Sequence, residues 1–178
     1  MFMWNTIFTW DLFAIEKHSE KRYEKALRPP WVRLLLKNKE GLYLLTKEFR
    51  TEAGSFDYRL PWGKVFDTLE DYLLIRWDQK KLDDAVLKAA KTEAKEEAWI
   101  DVIQFLRIFH QSKAGASVEW DLYYVSGNIL EMSEQALAGD ELTHGIEIWF
   151  YNRAQILVMI KSWEIQEDRT VGVLCRYL

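Results

Sequence analysis

The sequence predicts an α/β chain in which a mixed sheet carries helices on its faces. Three observations predict it. Early runs rich in aromatic and β-branched residues read as strands. A central stretch rich in Ala and Lys reads as a helix. Strands then return before two closing helical stretches, so strands and helices are not segregated along the chain.

The segments near 4–15 and 20–28 form an antiparallel β-meander at the N-terminus. "RPPW" at 28–31 punctuates the chain, because tandem prolines donate nothing to a ladder. "VRLLLKN" and "LYLLTKEFR" make a hairpin across Asn38–Gly41. "FDYRLPWGKV", 56–65, is a short strand running into a Pro-containing turn. Asp67 and Glu70 in "DTLE" give a capping-box-like start to a helix over "LEDYLLIRW", with Leu69, Tyr72, Leu73 and Trp77 on one side. A second helix starts at "LDD", 82–84, where acids suit a helix N-terminus. It runs to about Ala98, with Ala85 and Ala89 on a face that permits close approach. "IDVIQFLRIF", "VEWDLYYVSG" and "GIEIWFY" are strands, "NRAQILVMIKSWEI" is an amphipathic helix, and "EDRTVGVLCRYL" a final one.

Length and composition narrow the function classes. A chain of 178 residues suits one domain, 1–178, with a substantial core. A 49% apolar content and a net charge of −4 describe a globular protein with no basic stripe, which argues against a nucleic-acid partner. The N-terminal "MFMWNTIFTWDLFAI" is interrupted by Asn5, Thr6, Thr9 and Asp11 and lacks a cationic start, so no membrane segment is expected. A single cysteine, Cys175, excludes an intramolecular disulfide and fits a cytoplasmic location. Its apolar surroundings lead us to expect a buried small hydrophobe. The nine tryptophans fill core and sheet faces, with some available for ligand stacking.

The stretch "KTEAKEEAW", 91–99, places Glu93 and Glu97 one helical turn apart, with Cβ atoms roughly 5–6 Å from each other, and Glu96 on the adjoining face. Like charges at that spacing repel. Interleaved with Lys88, Lys91 and Lys95, they read either as a solvated helix face or as hard oxygen ligands for Mg²⁺ or Mn²⁺.

"LPWGKV" followed by "DAVLKAAKTEAKEEAWI" resembles the box of the Nudix hydrolases: Gly, five residues, Glu, seven residues, then Arg-Glu-aliphatic-x-Glu-Glu-x-Gly-aliphatic. Gly63 takes the first position, Asp84 stands for the first Glu and Thr92 for the Arg. Glu93, Ala94, Glu96 and Glu97 match in register, and Ile100 closes the box. "KEFR", 47–50, is similar to the strand before the box in ADP-ribose and ADP-sugar pyrophosphatases. The segment from Gly145 to Leu178 is similar to that group's closing strand and two helices. Three departures stand out. Residues 64–83 hold an insertion, Thr92 lacks the planar fork of the box arginine, and Trp99 replaces a glycine, which predicts a differently shaped helix exit.

The resemblance implies a Nudix-like α/β/α sandwich. It also implies that Glu93, Glu97 and Glu96 hold Mg²⁺ or Mn²⁺ with the backbone carbonyl of Trp62, and that Glu97 and Glu96 take part in catalysis. Glu141 in the acidic loop "LAGDELTHGIEI" is the candidate base for a nucleophilic water, with Glu147 as a second or a further ligand. Taken by itself, Glu141 reads more readily as part of an acidic surface loop. Arg50, Arg59, Lys64 and Gly63 lie where they could contact substrate phosphates; a surface ion pair is the competing reading for the two arginines. Trp31, Phe49 and Tyr58 are either base-stacking or core residues. His18, His110 and His144 show no ligand spacing. The implied activity is metal-dependent hydrolysis of the pyrophosphate linkage of a nucleoside diphosphate derivative, such as ADP-ribose or another nucleotide sugar, by a homodimer joined through residues 1–30. The alternative is a ligand-binding or regulatory module of the same fold with weak or no catalysis.

Overall fold

The computed structural model describes residues 4–51, 53–133 and 145–178. They group into two compact units: Met1–Arg33, Trp62–Ala90 and Arg107–Val125 form the first, and Leu34–Pro61, Lys91–Leu106 and Ser126–Leu178 the second.

The first unit carries the N-terminal meander. β1 (Trp4–Thr9), β2 (Ala14–His18) and β3 (Glu24–Leu27) pair antiparallel in chain order. β9 (Val118–Glu119) joins β3 in parallel, which makes this four-stranded sheet mixed. α1 (Leu69–Ile75) fills the insertion expected over 64–83. Its cap is Thr68, whose extended backbone lets its side chain accept from the Asp71 N–H, one residue on from the expected Asp67–Glu70 box. Leu69 and Tyr72 are buried. Leu73, inside the helix, is exposed, and so is Trp77, which lies past the helix end at Ile75.

α2 (Gln79–Glu96) starts three residues before the predicted "LDD", with Asp78 accepting from the Lys81 N–H at 3.1 Å. Its buried stripe is Leu82, Val86, Ala90 and Ala94, spaced i,i+4. Ala85 and Ala89, expected to form the close-packing face, are half-buried flanks of that stripe. β7 (Trp62–Lys64) is a short strand antiparallel to Trp31–Arg33, where the sequence suggested a Pro-containing turn. Pro61 precedes the strand and leaves its ladder donors intact.

The second unit is built on the predicted hairpin. β4 (Trp31–Lys37) and β5 (Tyr43–Arg50) meet across a turn in which Asn38 Oδ1 accepts from the Glu40 and Leu42 N–H groups and Gly41 takes φ +77°. The larger sheet runs β11-β5-β4-β10-β8, from β8 (Ile100–Ser112), β10 (Leu122–Met132) and β11 (Glu147–Tyr151). β6 (Ser55–Arg59) also pairs with β5, and β7 with β4. β4 lies inside this order, so Val32 to Leu36 are all buried, Arg33 included; this explains the apolar run Leu34 to Leu36 where a one-faced strand would alternate. Gly127 in β10 is required by close approach. A Cβ there would meet Ile103 Cγ2 at 2.5 Å.

α3 (Arg153–Lys161) carries a full capping box between Asn152 and Gln155. It ends four residues sooner than the sequence pattern suggested, where Trp163 turns to φ +62°. α4 (Asp168–Tyr177) is capped by Glu167, which accepts from the Thr170 N–H at 2.7 Å. Cys175, expected to be buried, is exposed. The inward face of α4 is Thr170, Val173 and Leu174, and Cys175 lies one residue beyond it. No helix of the described residues is long and apolar enough to cross a membrane.

Candidate functional site

The C-terminal end of α2, in the second unit, brings together the residues of greatest interest. Glu93 and Glu97 are both half-buried, while Glu96 and Thr92 are exposed. Glu97 lies just past the helix, but its N–H donates to the Glu93 carbonyl at 2.9 Å, so the α-helical spacing of the pair is kept. Two carboxylates one turn apart therefore share one side of the helix end, and Glu96 flanks them on a more open side.

Trp99 fixes how the chain leaves this helix. Its N–H donates to the Lys95 carbonyl at 3.1 Å, and its φ is +50°. The differently shaped exit expected from losing the box glycine is thus not seen: tryptophan takes the left-handed conformation that glycine normally supplies. Burial holds it there, since Trp99 is 8% exposed. Its carbonyl accepts from the Ser133 N–H at 2.8 Å and lies 3.3 Å from the Ser133 hydroxyl. Its indole Nε1 has no hydrogen-bond partner among the described residues.

The other candidates of the second unit are held by partners close to them. Arg50 donates to Glu48 at 3.0 Å. Arg59 Nε donates to Asp57 Oδ2 at 2.6 Å, and Asp57, 1% exposed, also accepts from the Gln166 N–H just before α4. Arg59 thus neutralises a buried carboxylate that anchors a helix start, a firmer role than the surface ion pair weighed from sequence. Glu147 faces Lys47 across the β11–β5 ladder at 3.2 Å and accepts from Trp149 Nε1 at 2.9 Å. The Trp149 hydrogen bond, then Lys47, hold its carboxyl below the usual range. Glu141 and His144 lie outside the described residues.

In the first unit, Trp62, Gly63 and Lys64 are consecutive residues of β7. Trp62 stacks on Trp31 with ring centroids 4.4 Å apart, and the Arg33 guanidinium lies 5.9 Å from its ring. Gly63 is buried and Lys64 exposed. Trp31 is thereby a packing residue of this ladder. In the second unit, Phe49 meets Phe56, and Tyr58 meets Tyr151, edge to face.

A charged cluster in the first unit escaped the sequence reading. Arg76 donates to both oxygens of Glu16, at 2.8 and 3.3 Å, and to both oxygens of Glu119, at 3.1 and 2.9 Å. Lys25 pairs with the same two carboxylates. Burial pushes the Glu16 carboxyl up, but the hydrogen bonds and charges of Arg76 and Lys25 outweigh it, leaving its pKa below the usual range. One signal was present: in "AIEKH", Ala14, Glu16 and His18 share a strand face, and the structure buries that face.

Among the described residues, no group of three or more His, Cys, Asp or Glu is placed to hold a metal ion. The described carboxylates alone therefore do not enclose a resident cation. Glu93 and Glu97 do present the hard oxygen donors that suit an ion shared with substrate phosphates and water. Mg²⁺ commonly binds through one or two carboxylates in this way.

No family model matches the sequence, and no curated protein matches it either. Its structure is similar to a solved structure described as an ADP compounds hydrolase. The TM-score is 0.66 at 20% identity, over 96% of this chain and 87% of that one. The α/β, Nudix-like fold class expected from the sequence is the fold this chain shares with that hydrolase.

Proposed function

We propose that this protein hydrolyses the pyrophosphate linkage of a nucleoside diphosphate derivative, such as ADP-ribose or another nucleotide sugar, with Mg²⁺ or Mn²⁺. The end of α2 carries this reading: Glu93 and Glu97, half-buried on one side, precede a left-handed residue at 99. Glu93 and Glu97, with Glu96 beside them and the Trp62 carbonyl, would hold the ion. When bound, it neutralises phosphate charge and makes a bound water more acidic.

The chain's own residues orient and deprotonate. Water attacks one phosphorus, its new P–O bond replaces the bridging P–O bond, and the bridging oxygen leaves on the other product. Glu141 is the proposed acceptor of the water's proton, and Glu97 and Glu96 are the further proposed catalytic carboxylates. Arg50, Arg59, Lys64 and the backbone of Gly63 are the proposed phosphate contacts, and Glu147 a further polar contact to the substrate. Asp57 already occupies Arg59 Nε, which leaves the outer guanidinium nitrogens for that role. The products are a nucleoside monophosphate and a phosphorylated remainder. The reading includes a cytoplasmic location.

The test is incubation with nucleotide sugars, dinucleotides and triphosphates plus Mg²⁺ or Mn²⁺, beside Glu97→Gln. Metal-dependent turnover that falls roughly 100-fold or more in the variant is the expected outcome. Tight binding with no turnover of any compound supports a binding or regulatory module instead. Thr92, exposed where the box has an arginine, favours that second reading. A homodimer through residues 1–30 is also proposed. β1 is an edge strand with Phe8 exposed, as is Trp10 just past its end, and a monomeric mass in sedimentation would remove this element.

A further inference from the structure

Beside α1, within the first unit, lies an open cavity of about 540 Å³, inside the size range of small-molecule sites. Trp4 and Trp77 stand on its walls. Trp77 is 66% exposed, with the Arg76 guanidinium 4.6 Å from its ring. Trp4 has the Lys25 ammonium 4.5 Å from its ring. Polar groups complete the lining: Tyr72, whose hydroxyl lies 3.5 Å from Glu119, and Gln111, which donates to Asp121 at 2.6 Å and to the Tyr123 hydroxyl at 3.1 Å.

We propose that this cavity binds an uncharged, hydroxyl-rich ring, a saccharide.

Charge balance selects the class. Arg76 and Lys25 are the most buried cations of the lining, and both are matched by Glu16 and Glu119 in a closed network; Lys113 and Asp121, also on the lining, carry opposite charges, so the cavity has no net charge to offer. An anion seeking the buried cations would have to displace a carboxylate from the Arg76 guanidinium and leave that carboxylate buried and unpaired. A ligand cation meets the converse obstacle, because Lys25, Arg76 and Lys113 line the same cavity and would repel it. What remains suits a neutral polyol. The exposed ring surface of Trp77 can pack against the C–H face of a sugar ring. Carboxylate, amide and phenol groups beside it exchange hydrogen bonds with adjacent hydroxyls. Burial raises the pKa of both phenols, that of Tyr123 to about 12, and like any phenol they are protonated at neutral pH. Two sources share this chemistry: a free saccharide, and the glycosyl end of a nucleotide sugar. The inference does not rest on the hydrolase reading, since occupancy is measured without turnover.

The experiment is calorimetric titration of the full chain with maltose, cellobiose and diacetylchitobiose, with ADP-glucose and UDP-glucose as a second arm and adenosine and inorganic pyrophosphate as a third. Wild type and Trp163→Ala should bind at least one compound of the first two arms. Trp77→Ala should weaken that binding about tenfold and Gln111→Ala roughly fivefold. Both residues are exposed, and neither belongs to the buried charge network. Binding of free disaccharides assigns the cavity to a free saccharide. Binding of the nucleotide sugars alone, with the same two losses, assigns it to a glycosyl end. The proposal is overturned if neither arm binds, if neither substitution weakens binding, or if only adenosine or pyrophosphate is retained.

Discussion

Trp99 takes φ +50° at the exit of α2, and Phe105 takes φ +55° within β8. A left-handed backbone costs a residue bearing a Cβ about 1–2 kcal/mol. Trp99 is 8% exposed and Phe105 77%, so the same conformation is held by different forces. Glycine should therefore act with opposite sign at the two sites. Trp99→Gly relieves strain but empties a buried indole site, and should destabilise by about 2–4 kcal/mol. Phe105→Gly gives up little burial and should stabilise by about 0.5–1 kcal/mol, after the entropic cost of glycine. Urea unfolding of both variants checks this, and equal signs would refute it. The sequence marked Trp99 as a departure from the box glycine, yet sequence alone does not reveal that burial can impose a glycine-like φ on tryptophan. Nothing local marked Phe105.

At the scale of elements, the helix of the insertion is fastened to the meander by charge. Arg76, whose side chain is 6% exposed, follows the last turn of α1 and reaches Glu16 of β2 and Glu119 of β9. Removing one partner of such a group leaves buried charge without its match, so Arg76→Ala should cost about 3–5 kcal/mol at neutral pH. The pH dependence has a definite sign. Glu16 has a depressed folded pKa, so its contribution is complete above the unfolded value near 4.5 and is lost as pH falls through the folded value. In Arg76→Ala the larger part of the depression is gone while burial remains and Lys25 alone faces two carboxylates, so protonation relieves the surplus charge. The gap between variant and wild type should narrow on acidification below about pH 4.5, as followed by chemical denaturation. A gap that widens would contradict the network. The hairpin at Asn38–Gly41, the α2 helix and the closing helices were legible because turn chemistry and period are local. The Arg76 network was not, because Glu16, Arg76 and Glu119 are distant in sequence. Element edges moved where the start was misplaced: Thr68 caps α1 in place of Asp67, and α2 begins at Gln79, before "LDD".

At the scale of the whole molecule, the Nudix-like fold class was legible from the order of its elements and the stretched box. The candidate site was legible only in its helical half. Helical spacing put Glu93 and Glu97 on one side, and their shared half-burial agrees with it. Spacing could not say that Arg59 and Glu147 hold Asp57 and Lys47, because those partners are set by strand geometry and pairing. Nor could it say that Cys175 faces outward, because an apolar segment fixes no helical phase by itself.

The most direct test of the proposed hydrolysis is phosphorus NMR of ADP-ribose and the nucleotide sugars, incubated with the protein and Mg²⁺ in isotope-labelled water. The account predicts AMP and ribose 5-phosphate from ADP-ribose, or the corresponding pair from another of these compounds, with the label in the phosphate of one product only. Glu97→Gln should produce almost none. Persistence of every compound intact with the wild-type protein, or label released as inorganic phosphate, would contradict it.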